Sequence, residues 1–180
     1  MMFFRGGKMS GHRRIGLFVA AAAGLCGLVG LAPTASASGA SAWNGQYLLT
    51  FSANQKTGTS AVARQPEYAQ RASYSFTSSC STGVCVATVA NPPAPKNQYM
   101  PRSVQYTWNG SQWVQQTSGN FDCLLVNGAV EHDPAKSVTV YTPAANGALT
   151  GVSRTVILSG ACRGNVDMPV SATPVQPEVV

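Results

Sequence analysis

Between Val104 and Gln115 the chain alternates apolar and polar side chains around a central Asn109-Gly110 pair. Asn and Gly both tolerate the positive φ that a two-residue hairpin turn demands. Period-two alternation on either side is the mark of a half-buried strand. The spacing therefore predicts a hairpin of Val104–Trp108 against Ser111–Gln115, with Trp108 opposite Ser111 and Tyr106 opposite Trp113. Val104, Tyr106, Trp108 and Trp113 then share one face, and Gln105, Thr107 and Gln112 the other.

The rest of the chain repeats this grammar. Tyr47, Leu49 and Phe51 alternate, Tyr74 and Phe76 share a side of Ala72–Ser79, and Val84–Ala90, Cys123–Val126, Ser137–Tyr141 and Arg154–Ser159 read as further strands. Asn91–Asn97 carries three prolines and reads as a loop, while Asn127-Gly128 and Asn146-Gly147 mark turns. Only Glu67–Ala72, after Pro66, suggests a helix, and a short one. About eight to ten short strands at this spacing predict an all-β domain, a single antiparallel meander barrel or sandwich. The barrel is preferred, because that many strands can close and leave no open edge. No internal repeat is convincing: Trp43-Asn44-Gly45 and Trp108-Asn109-Gly110 share only their three letters.

Position resolves the charge. Twelve Lys and Arg stand against six Asp and Glu, but Arg5, Lys8, Arg13 and Arg14 all precede an apolar run, Ile15–Leu31, with Ala35-Ser36-Ala37 and Ala40-Ser41-Ala42 beyond it. A basic stretch, an apolar stretch and an A-x-A site make a secretory signal peptide over residues 1–37, cleaved after Ala37 or Ala42. Its removal leaves eight basic and six acidic side chains, too little to mark a nucleic-acid partner. Arg13-Arg14 suits a twin-arginine signal, yet Gly16 stands where a larger apolar residue is expected, which favours ordinary export. Ile15–Leu31 is at the short limit for a membrane span, so no stable span is expected after cleavage. Cys26, preceded by Ala23-Gly24-Leu25, has the order of a lipid-attachment site reversed. The expected organisation is a secreted β-domain over 38–168 and a proline-rich flexible tail over 169–180, secreted or associated with the cell wall.

Four cysteines remain after the leader: Cys80, Cys85, Cys123 and Cys162. An even set in an exported chain reads as two disulfides with three possible connectivities. Zinc is the rival, but no C-x2-C pair is present. The preferred pairing is Cys80–Cys85 across a tight turn and Cys123–Cys162 across a loop of about 40 residues, the latter worth up to ~4 kcal/mol. The other two pairings stay open.

Candidate chemistry is sparse. His132 lies in Glu131-His132-Asp133-Pro134, where a carboxylate could orient an imidazole base; adjacent residues beside a proline read instead as an exposed loop. No Gly-x-Ser-x-Gly elbow occurs, and no spacing suits a metal or cofactor. Asp122 and Asp167 flank Cys123 and Cys162, so the second bridge could bring them together as a glycosidase-like pair. Trp43, Tyr106, Trp108 and Trp113 are possible ligand-facing aromatics, although aromatics on strands more commonly fill a core. Asn109-Gly110-Ser111 matters as a glycosylation site only in a eukaryotic secretory pathway.

The segments Trp43-Asn44-Gly45-Gln46-Tyr47, Cys85-Val86-Ala87-Thr88-Val89, Tyr106 to Val114, Asp122-Cys123, Gly160-Ala161-Cys162-Arg163-Gly164 and Val166-Asp167-Met168-Pro169-Val170 together resemble small exported proteins of mycobacteria and their relatives, mostly of uncharacterised function. Similar modules form the outward-facing ends of some mycobacterial serine/threonine kinases. The resemblance implies an envelope or secreted location and brings no catalytic residue with it. These 180 residues carry no kinase portion, so signalling by them alone is not expected. The leading expectation is a non-enzymatic exported β-domain that binds an unknown envelope ligand or protein. The alternatives are a secreted hydrolase using Asp122 and Asp167, and a sensor-like module related to kinase ectodomains.

Overall fold

Alternation drives the chain into nine strands among the residues described by the computed structural model, which are 42–81, 83–92 and 103–176. The expected leader and most of the proline loop lie outside the described residues, as do the last four positions. The strands are β1 (Gly45–Phe51), β2 (Thr57–Gly58), β3 (Gln70–Ser81), β4 (Val84–Ala90), β5 (Gln105–Trp108), β6 (Trp113–Leu124), β7 (Val130–Pro143), β8 (Leu149–Ile157) and β9 (Gly164–Pro174). Each long strand pairs antiparallel with the next in sequence, and β1 pairs with β9 from Tyr47↔Pro174 to Phe51↔Val170. An eight-stranded meander barrel is thereby closed, with the two-residue β2 added to the outer part of β9. Closure decides for the barrel over the sandwich, since it removes both sheet edges.

Inward-facing positions form two apolar clusters. In the larger, Trp43, Tyr47, Phe76, Tyr106, Trp113 and Tyr141 gather with Leu49, Val89, Leu149 and Val170. Trp43 stacks on Phe76 at 4.1 Å and 12° and has Tyr106, Tyr141, Trp113 and Tyr47 within 6.1 Å, ring centre to ring centre. Such aromatic pairs contribute about 0.5–1.5 kcal/mol each beyond the area they bury. The smaller cluster joins Cys123, Cys162, Ala135, Ile157, Val62 and Val166. Between the two, β7 and β8 face each other through hydroxyl pairs, Ser137 with Thr155 at 2.8 Å and Thr139 with Ser153 at 2.9 Å.

Four expectations need correcting. The aromatic hairpin is present, but Trp108 faces Trp113 rather than Ser111. The Asn109 side chain accepts from the N–H groups of Ser111 (3.1 Å) and Gln112 (2.8 Å), and its own N–H donates to the Gln112 carbonyl. These bonds stabilise a four-residue loop and move the register by two, which leaves every side chain on its expected face. No helix forms at Glu67–Ala72: β3 begins at Gln70, and short 3-10 turns lie at Ala53–Gln55, Ala61–Arg64 and Ala145–Gly147. The strand expected at Cys123–Val126 is the end of β6, which turns at Leu125.

The expected tail is the fourth. Residues 169–174 belong to β9, with Val170 and Ala172 buried. Pro169 is tolerated because its carbonyl accepts from Ser52 on the edge facing β1 and β2. Its missing N–H points to that same edge, where β1 has ended at Phe51 and β2 has not yet begun.

Both preferred disulfides are present. Cys80 and Cys85 face each other across β3 and β4, and Cys123 on β6 is bonded to Cys162 between β8 and β9. Buried Ser60 ties the 3-10 turn at 61–64 to the second bridge, accepting from the Val62 N–H and donating to the Cys162 carbonyl at 2.6 Å. The bridges close 5 and 39 residues respectively. On the chain-entropy account, Cys123→Ala/Cys162→Ala loses about 4 kcal/mol and Cys80→Ala/Cys85→Ala about 2 kcal/mol. Urea unfolding of the two double variants measures the difference; equal losses would contradict it.

Candidate functional site

The sheet is least complete between β5 and β6. β5 has four residues against twelve in β6, and they pair only through Thr107↔Val114 and Trp108↔Trp113. Where they part, a cleft of about 640 Å³ opens, with Ser103, Gln105, Thr107 and Asn109 on one wall and Val114, Gln115, Gln116 and Thr117 on the other. Gln105 and Thr107 project there because the aromatic face of the hairpin points inward. The lining offers amides and hydroxyls, which both donate and accept hydrogen bonds. Among the described residues its lining contains no ionisable side chain, so the chemistry of these walls suits an uncharged polar guest.

The aromatics proposed to face a ligand are elsewhere. Trp43, Tyr106 and Trp113 are 1%, 3% and 0% exposed, packed in the larger cluster and out of reach of a surface ligand. Trp108 alone of the four is only half-buried, its ring 5.3 Å from that of Trp113. Burial raises the Tyr106 and Tyr141 phenols well above their ordinary value, with neighbouring tyrosines adding to the effect. Both hydroxyls therefore stay neutral at any physiological pH.

Asp122 and Asp167 are not brought together. Asp167 is level with Arg154, Val138 and Gln116 across β8, β7 and β6. Asp122 is on β6, three strands away, and is six residues further along than Gln116, roughly 20 Å. Each carboxylate also has its own cross-strand partner: Asp122 Oδ1 is 2.8 Å from His132 Nδ1, and Asp167 receives a two-pronged contact from Arg154 at 2.6 and 2.8 Å. The geometric basis for a paired-carboxylate hydrolase is absent. Nor is Glu131-His132-Asp133-Pro134 a loop. It runs along β7, with His132 outward and Asp133 buried inside. Pro134 fits because its carbonyl accepts from Leu158, on the edge where β8 has just ended. The inward pair Glu131 and Asp133 went unrecognised in the sequence, although their period-two spacing with Ala135 was the available signal.

The hydrogen bonds from Arg154 hold the Asp167 carboxyl below its ordinary value, with the guanidinium charge and Asn165 acting in the same direction against partial burial. A carboxyl depressed on folding contributes stability that is full above its unfolded value and is lost as pH falls through the folded one. Arg154→Gln is thus expected to move the Asp167 titration upward and to remove a small stabilising contribution that is full above pH 3.8 and fades as pH falls below it, so that the two proteins converge in stability in acid. Carboxyl-carbon NMR titration of the two proteins measures this; an unmoved Asp167 would show that the pair is not formed in solution.

A family model described as the PknI serine/threonine-protein kinase sensor domain matches residues 40–179. This agrees with the resemblance to outward-facing kinase modules. No curated protein sequence matches the chain. Among solved structures, the monomer form of the M. tuberculosis PknI sensor domain is 14% identical with a TM-score of 0.56, covering 77% of this chain and 92% of that one. The dimer form of the M. tuberculosis PknI sensor domain is 21% identical with a TM-score of 0.44, covering 59% and 74%. The first likeness is one of fold. No helix among the described residues is long and apolar enough to cross a membrane.

Proposed function

We propose, since this chain belongs to the PknI serine/threonine-protein kinase sensor-domain family, that it is a non-enzymatic recognition module acting outside the cytoplasm, in the envelope or the medium. Two disulfides suit an oxidising compartment, and the leader read from residues 1–37 would deliver the chain there. The observation that carries the reading further is the β5–β6 cleft. Its amide and hydroxyl lining, on a barrel made rigid by closure and two bridges, suits a neutral, hydroxyl-rich ligand such as an oligosaccharide. Selectivity would come from the pattern of partners, because an amide that the wrong ligand covers and leaves unpaired costs more than a paired one gains. The ionic pairs on the outer surface, Asp122 with His132 and Arg154 with Asp167, then serve the barrel rather than a reaction.

Titration of the protein with a panel of neutral oligosaccharides, followed by amide NMR, tests this. At least one member should shift the signals of Gln105, Thr107 and Gln116 together, and Gln105→Ala or Gln116→Ala should weaken its binding roughly tenfold. Shifts confined to other regions, or none across the panel, would contradict the cleft as the recognition site.

A further inference from the structure

At the barrel end sealed by the Cys123–Cys162 bridge, β7 sends two carboxylates to the same inner face. Asp133 is 3% exposed and its Oδ2 is buried with no hydrogen-bond partner. One carboxylate oxygen of Glu131 and one of Asp133 lie within 4.8 Å of each other and of Cys123 Sγ. The backbone after β8 closes over them. Gly160, at φ +75°, leaves no room for a Cβ, which would fall 1.9 Å from Asp133 Oδ1. Glu131 Oε2 accepts the Ala161 N–H at 3.0 Å. Among the described residues, no Lys, Arg or His forms an ion pair with either acid.

Two carboxylates held this close, one of them out of water with an oxygen that has no hydrogen-bond partner, need compensating positive charge. We propose that Glu131 and Asp133 form a cation site, and that its ion is calcium. Two oxygens that each lie 2.3–2.6 Å from one ion are at most about 5 Å apart, and the observed limit falls inside that span. Cys123 is committed to its disulfide, so no thiolate is on offer. The side-chain donors are oxygens, which suit a hard cation and not zinc or copper. Calcium fits better than magnesium, because magnesium sheds its water reluctantly and demands a regular octahedron. With two side-chain ligands the site is expected to be weak, with a Kd of about 10⁻⁴–10⁻³ M, the range of extracellular calcium modules. Bound calcium would fasten β7 to the segment that carries Gly160, Ala161 and Cys162.

The test uses the oxidised full-length chain, stripped with a chelator and titrated with CaCl₂ by calorimetry and thermal unfolding, with MgCl₂ and NaCl as controls. Calcium should bind at one site and raise Tm beyond the rise given by matched ionic strength. Asp133→Asn and Glu131→Gln keep the shape of each side chain, and each should weaken calcium binding at least tenfold. Asp167→Asn, on the opposite side of the sheet, should leave it unchanged. Calcium binding that survives both inner variants would overturn the proposal. So would a Tm indifferent to calcium at matched ionic strength.

Discussion

Trp43 is the side chain on which the barrel is assembled. It lies just before β1, yet its ring touches aromatic residues from β1, β3, β5, β6 and β7. A small barrel needs its interior filled by side chains, and a large ring at the centre draws strands distant in sequence onto one point. With Trp43 seated, β1 is held between β3 and β9, and that second contact turns a twisted sheet into a closed one. The two ends then differ in kind. The aromatic end is filled by ring packing, whereas the other is smaller in volume and depends on the Cys123–Cys162 bridge and the buried Ser60.

Close backbone approaches complete the closure. At Gly58 a Cβ would lie 2.0 Å from the Asn165 carbonyl, so only glycine lets the chain after β1 lie against β9. This seam has two partners in succession, β1 and then β2, and Pro169 occupies the change-over. A barrel closed in this way is a fixed frame for the side chains it carries. Among the described residues, its polar features include a cleft lined by amides and hydroxyls between β5 and β6 and an enclosed acid pair near the bridge, which are separate places on the fold with different chemistry.

Much of this was legible in the sequence. The period-two pattern of Tyr47-Leu49-Phe51 and Val104-Tyr106-Trp108 identified strands and their buried faces, and the cysteine spacing pointed to the observed pairing. The hairpin register was not legible, because Asn109 acts through its side chain and Asn-Gly alone does not specify loop length. β9 was hidden by its prolines: Val166, Met168, Val170 and Ala172 alternate in strand fashion, but Pro169 and Pro174 read as a tail until the edge they face is known. Pro134 concealed the inward acids in the same way. The β5–β6 cleft has no local signature, since it arises from the unequal lengths of two strands.

Closure by β1 around Trp43 is the claim from which the rest follows, and native-state amide hydrogen exchange tests it most directly. In a closed barrel, Leu48, Leu49, Thr50 and Phe51 have hydrogen-bonding neighbours on both sides. Alternate amides of β1 point to β3 and to β9, and all should exchange as slowly as those in the middle of β7. If the β9-facing half exchanged orders of magnitude faster while β7 stayed protected, β1 would be an open edge and the barrel account would be wrong.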